Sequence, residues 1–211
     1  MVNLTQPRKP PSASRNPLAA AEFLTAAHAL HQLPPDRGAE VAFAGRSNAG
    51  KSTALNALTG KSHLARISKT PGRTQQLVVF AIDGERRLVD LPGYGYAKVA
   101  HTLREHWRKT LADYFLEREV LTGLLLAMDV RHPLTEFDRQ MLGLCATRVL
   151  PCHIILTKSD KLSRMQGLNT LRSVRGTLER DGLDASVQLF SALKRDGIDE
   201  ARAAVCGWLS L

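Results

Sequence analysis

This sequence predicts an α/β fold: a mostly parallel, doubly wound sheet lying between helices. Three observations predict it. Short, predominantly apolar runs, at 41–44, 121–128 and 152–156, read as strands buried on both faces. Between them lie longer stretches whose apolar residues share one helical face, such as 101–119 with Leu103, Trp107, Leu111 and Tyr114 or Phe115. The first apolar run also leads directly into a glycine loop, Gly45-Arg46-Ser47-Asn48-Ala49-Gly50-Lys51-Ser52, followed by a helical pattern through Ala54, Leu55, Ala57 and Leu58.

Strand, glycine loop and helix in that order form the context of a GxxxxGK[ST] phosphate-binding loop, the mark of a P-loop NTPase. The glycines let the backbone curl so that its N–H groups converge on phosphate oxygens. Lys51 adds a point charge at the β- and γ-phosphates, and the helix N-terminus adds its positive end. The Ser52 hydroxyl is placed to hold Mg²⁺.

At 211 residues the chain suits one ordinary domain. No apolar run is long enough to span a membrane, and the N-terminal residues lack the apolar stretch of a signal peptide. The three cysteines have no metal-ligand spacing, so they are expected to be reduced and packed in a cytoplasmic protein. A net charge of +9 is more than free nucleotide requires and favours a polyanionic partner. With aromatics at 5%, phosphate and shape contacts suit that partner better than base stacking. Residues 1–17, basic and broken by four prolines, read as a disordered tail ahead of a domain at 18–211. Residues 18–33, LAAAEFLTAAHALHQL, read as a short helix ending before Pro34-Pro35.

Beyond the loop helix, a polar run from Gly60 to Gln76 precedes a strand expected at 77–82. In nucleotide switches such a connection orders around a γ-phosphate and Mg²⁺, and a threonine within it can supply a second protein oxygen to the metal. Thr70 and Thr74 both qualify, and Thr74, beside the strand, is preferred. A hairpin turn at Asp83-Gly84 leads to a strand at 86–91 that closes in Asp90-Leu91-Pro92-Gly93. There Asp90 would hold Mg²⁺ through a water and the Gly93 amide would sense the γ-phosphate. Tyr94 stands where Ras-like enzymes place a water-orienting glutamine, so hydrolysis is either slow or helped by another group.

The run at 152–156 closes in Thr157-Lys158-Ser159-Asp160, the [NT]KxD pattern that reads guanine. The Asp160 carboxylate can accept from both N1–H and the 2-amino group, a donor pair adenine lacks, while the Lys158 stem can lie over the base. Helices are expected at 135–148, 165–179 and 197–209. The last strand, at 186–190, ends in Phe190-Ser191-Ala192, where a backbone amide would meet guanine O6. These motifs, in this order, describe a Ras-like GTPase domain.

More specifically, GRSNAGKS, KTPGRTQ, DLPGYGYA, MDVRHPL and TKSDKL together resemble the EngB (YsxC/YihA) family of bacterial GTPases, of the Era–EngA–TrmE lineage. The resemblance runs from about Phe23 to the C-terminus and leaves out the basic tail. It implies GTP hydrolysis used as a switch in assembly of the large ribosomal subunit through its rRNA, with a linked need in cell division and septation. It also implies that Ser52 and Thr74 ligate magnesium, and that Gly72, Arg73, Thr74, Gln75 and Gln76 touch the nucleotide. In relatives with asparagine at the position of Asn48 and no catalytic glutamine, a bound K⁺ stands in for an arginine finger. Lys51, Asn48 and Gly93 are therefore the expected catalytic set, in a monomer without a stable membrane anchor. Two other readings remain open: a nucleotide kinase sharing only the phosphate loop, and a division-site or membrane-associated GTPase that does not bind ribosomes directly.

Overall fold

The computed structural model describes residues 16–65, 76–93 and 101–211, with side chains of the last stretch described from 109 onward. Seven strands form one sheet in the order β1-β3-β4-β2-β5-β6-β7. They are β1 Glu22–Ala27, β2 Ala39–Gly45, β3 Leu77–Ala81, β4 Arg86–Asp90, β5 Leu121–Asp129, β6 Cys152–Thr157 and β7 Ala185–Leu189. The helices are α1 Lys51–Thr59, α2 His101–Glu117, α3 Glu136–Arg148, α4 Arg164–Arg180 and α5 Ile198–Leu209.

Only β3 runs against the others, because β3 and β4 are the arms of a hairpin. Asp83 makes that turn: its Oδ1 accepts from the N–H of Glu85 at 2.9 Å and of Arg86 at 2.7 Å. Strand alternation then divides the core. Val41, Phe43, Leu125, Ala127 and Ile155 face α1 and α5, whereas Ala42, Ala44, Leu124, Leu126, Met128, Ile154 and Leu156 face α2, α3 and α4. Both faces of the sheet are covered, which is why its central strands read as predominantly apolar runs.

The helix expected at 18–33 is not there. Pro17–Ala20 is a 3-10 turn capped by Asn16, β1 follows, and Leu30–Gln32 is a second short turn. Alanine-rich sequence favours a helix locally by a few tenths of a kcal/mol per residue. Against that, β3 offers an open edge of unpaired backbone groups, and β1 fills it with a row of ladder hydrogen bonds. Phe23 adds an edge-on contact with Phe80 at 6.5 Å between ring centres. Asn16 also donates from Nδ2 to the Leu58 carbonyl at 2.9 Å, tying the first turn to α1.

The approach of α5 to the sheet depends on one missing side chain. A Cβ on Gly123 would stand 2.3 Å from the Trp208 ring. Gly123→Ala should therefore push α5 outward at a cost of about 1–3 kcal/mol. The check is a lower urea midpoint at unchanged m-value.

At the N-terminal edge of the sheet, Glu40 is fully buried. Arg118 reaches it with Nη2 at 2.6 Å and Nε at 3.1 Å, Arg87 Nε lies at 3.0 Å, and the Tyr114 hydroxyl donates at 3.3 Å. Burial, with Glu40 alongside, holds the Tyr114 phenol well above its ordinary range and so keeps it a donor.

Candidate functional site

The site is assembled at the opposite edge, where the parallel strands end. Gly45 closes β2 beside β5, and a Cβ there would meet the Ala127 carbonyl at 2.6 Å. The chain then turns through Asn48 and Gly50, whose φ angles are +60° and +90°, and enters α1 at Lys51. Parallel pairing sets Phe43 opposite Asp90, and the Leu91 N–H continues the ladder to the Phe43 carbonyl at 2.9 Å. That register delivers the Asp90 carboxylate to the root of the loop, where Lys51 Nζ binds it; both residues are buried. Gly93 passes against the loop from the same side, since a Cβ on it would lie 3.3 Å from Ser47 Cα. Ser52 sits half-buried in the first turn of α1.

From the other side, β6 pins the loop. The Thr157 hydroxyl bonds to the carbonyls of Ala49 and Met128. Lys158, in a left-handed conformation, donates from Nζ to the Asn48 carbonyl at 2.6 Å and to Asp129 at 2.9 Å. Arg131 clasps the same Asp129 carboxylate with Nη2 at 2.7 Å and Nε at 2.9 Å. Burial alone would raise the Asp129 carboxyl, but the bonds from Arg131 and Lys158 outweigh it and hold the group well below the usual carboxylate range.

A carboxyl depressed in the folded state adds stability that is complete above its unfolded value of about 4 and is lost as pH falls toward the depressed one. Asp129→Asn should remove that part of the acid dependence, seen as a shallower fall of Tm below about pH 4.

Ser159 and Asp160 follow Lys158 in a short turn, and the strand next door supplies the support for it. The Phe190 N–H donates to the Leu156 carbonyl at 2.9 Å, and the Ser159 N–H to the Phe190 carbonyl at 3.2 Å. Buried Ser191 donates from Oγ to Asp160 Oδ1 at 2.6 Å, fixing that carboxylate. The Ser191 N–H is itself engaged by the Asp196 carbonyl at 3.0 Å. Ala192, next in the chain, is half-buried.

The fold thus brings the segments 45–52, 90–93, 157–160 and 190–192 to one sheet edge, although they are far apart in sequence. Gln76 lies at that edge as well, where its side-chain amide meets the His28 ring at 2.9 Å. Gly72, Arg73, Thr74 and Gln75, with Thr70 and Tyr94, lie outside the described residues. Sequence reasoning quoted Asp129 and Arg131 within MDVRHPL but gave them no role; Arg131 braces Asp129, which holds the lysine that holds the loop. The position of Asp129 at the end of a buried strand, like that of Asp90, was the available signal.

Comparison with known proteins agrees with this geometry. A family model described as "50S ribosome-binding GTPase" matches residues 40–158, which include the loop and the Thr157-Lys158 step. A "Probable GTP-binding protein EngB" of Stenotrophomonas maltophilia (strain K279a) is 58% identical over 192 residues, 90% of this chain and 96% of the relative. Its counterpart in Xanthomonas oryzae pv. oryzae (strain PXO99A) is 57% identical over 192 residues, 90% of this chain and 93% of that one. Among solved structures, a probable GTP-binding protein engB superposes with a TM-score of 0.66 at 20% identity, covering 82% of this chain and 99% of that one. Era in complex with MgGDPNP and nucleotides 1506–1542 of 16S ribosomal RNA superposes at 0.63 with 22% identity, covering 82% of this chain and 57% of Era. At such identities the structures speak for the fold alone. The sequence relatives and the family model go further: this chain belongs to the EngB family of GTP-binding proteins and is a GTPase.

Proposed function

We propose that this GTPase is a switch in assembly of the large ribosomal subunit, hydrolysing GTP slowly and contacting rRNA-rich particles in one nucleotide state. The observation that supports this most is the match to a family model described as a 50S ribosome-binding GTPase. A net charge of +9 suits a phosphate-rich partner. In this reading the protein works as a cytoplasmic monomer without a stable membrane anchor, and its loss disturbs cell division and septation. Among the described residues, no helix is long and apolar enough to cross a membrane.

The residue roles are part of the same proposal. Backbone amides from Gly45 to Ser52 cradle the phosphates, and Lys51 meets the β- and γ-phosphate oxygens. Gly93 senses the γ-phosphate through its amide. Asp160 accepts from guanine N1–H and the 2-amino group, the Lys158 stem lies over the base, and the Ala192 amide meets O6. Residues Gly72 to Gln76 contribute to the nucleotide contact. A half-buried serine hydroxyl and a buried carboxylate flanking one loop suit a hard, oxygen-preferring cation. Ser52 and Thr74 would hold Mg²⁺, with Asp90 through a water, and K⁺ would sit beside Asn48. Such ions neutralise the charge that builds on the phosphates during transfer.

Co-sedimentation with ribosomal particles at low salt tests this, comparing a non-hydrolysable GTP analogue with GDP. Binding to large-subunit particles with the analogue alone is the expected result. No binding in either state, with GTP affinity intact, would move a division-site role without direct ribosome binding to the front.

A further inference from the structure

Behind the phosphate loop, on the side of α3, lies a cavity of about 250 Å³. Asp138, in the first turn of α3, forms part of its wall and is only 1% exposed. Its Oδ2 accepts from the Thr135 N–H and hydroxyl, both at 2.8 Å, which caps the helix. Its Oδ1 is buried and has no hydrogen-bond partner among the described residues. A buried carboxylate oxygen without a donor is costly, so this atom calls for one.

The basic groups lining the cavity are Arg46, Arg131, His132 and Lys158. Arg131 and Lys158 are both engaged by Asp129. The His132 backbone is fixed to the Asp129 carbonyl at 2.9 Å, and its ring is exposed. Arg46 is exposed, carries a permanent charge with donors in a fork, and has no ion partner among the described residues. Burial raises the Asp138 carboxyl above its ordinary range, against the opposing pull of the Thr135 bonds and the Arg46 charge, and Arg46 lines the same cavity.

We propose that Arg46 and Asp138 form an ion pair across this cavity, tying the first turn of the phosphate loop to the N-terminus of α3 and slowing nucleotide release. Thr157 and Lys158 hold the far part of the loop, at Ala49 and Asn48. The Arg46 tether is the one that comes from the helical layer. Through α3, whose Met141 and Leu142 pack in one cluster with Leu111 and Phe115 of α2, it makes nucleotide retention depend on how that layer sits. The proposal rests on the reading of 45–52 as the phosphate-binding loop.

Dissociation of a fluorescent GDP, followed by stopped flow in the full-length chain, tests it. Arg46→Gln and Asp138→Asn should each speed release by about five- to tenfold, within the range of a coupled charge pair, and the double variant no more than either alone. Arg46→Lys, which keeps the charge, should stay within about twofold of the parent. Thr135→Val removes the hydroxyl half of the helix cap but leaves the backbone N–H bond to Asp138 and the pair; it should lower Tm and leave release unchanged. Effects that multiply in the double variant, single variants that release normally, or a Thr135→Val that releases as fast as Asp138→Asn would each overturn the proposal. Should Asp138→Asn not fold, the contrast between Arg46→Lys and Arg46→Gln still decides. Lys51→Ala separates failure of the phosphate-loop reading from failure of the pair. If it binds as tightly as the parent, the loop reading fails and the pair with it; if it loses nucleotide while Arg46→Gln releases normally, only the pair fails.

Discussion

Asp160→Asn should weaken GTP binding by about 100- to 1000-fold and improve binding of xanthosine triphosphate. A carboxylate at this position only accepts, and the guanine edge presents N1–H and a 2-amino group that only donate. Each charge-assisted bond is worth about 1.5–3 kcal/mol, so losing the pair and regaining part of it costs about 3–4 kcal/mol. Asparagine brings its own N–H₂ toward those donors, whereas xanthine carries a carbonyl at C2 that can accept from it. The substitution keeps an oxygen for the Ser191 hydroxyl, now 2.6 Å from Asp160, so the fold around it has little to lose. Competition against a fluorescent GDP measures both arms. A variant that binds GTP within threefold of the parent would place the base somewhere other than this strand end.

Glu40→Gln should lower stability by about 3–5 kcal/mol, the cost of leaving buried arginines without their counter-charge. Glu40 is fully buried, and both Arg87 and Arg118 are within ion-pair distance of it. For a domain of this size that amounts to a fall in Tm of about 6–20 °C. The network lies at the N-terminal edge of the sheet, away from the loop, so nucleotide affinity per folded molecule should not change. Replacing all three charged residues by apolar ones of like volume should recover much of the loss, because the cost comes from the orphaned charges rather than from the absent bonds. If the single variant melts like the parent, water or another group satisfies the arginines.

The phosphate loop, the Asp90-to-Gly93 turn and the Thr157-to-Asp160 turn were legible because each is a contiguous pattern at the end of a recognisable strand. Such motifs need only local backbone to form, and the buried parallel strands that carry them announce themselves as apolar runs. What holds the motifs together was not legible. Lys158 reaches the Asn48 carbonyl across 110 residues of sequence, and Arg118 reaches Glu40 across 78. No spacing rule links such positions. Asp138 caps α3 through Oδ2, and only its burial beside a cavity lined by Arg46 gives it a second role.

Residues 18–33 show the same division most plainly. Their alanines and leucines favour a helix, and in isolation that preference has nothing to oppose it. In the folded chain the competing partner is the open edge of β3, whose backbone groups gain more from a neighbouring strand than the segment gains from its own turns. The sequence by itself determined the fold class, the sheet-edge motifs and the chemistry they imply, because those follow from local pattern. The tertiary structure alone decided the edge strand, the buried Glu40 network and the clamps behind the phosphate loop, because each depends on groups that only folding brings within a few ångströms.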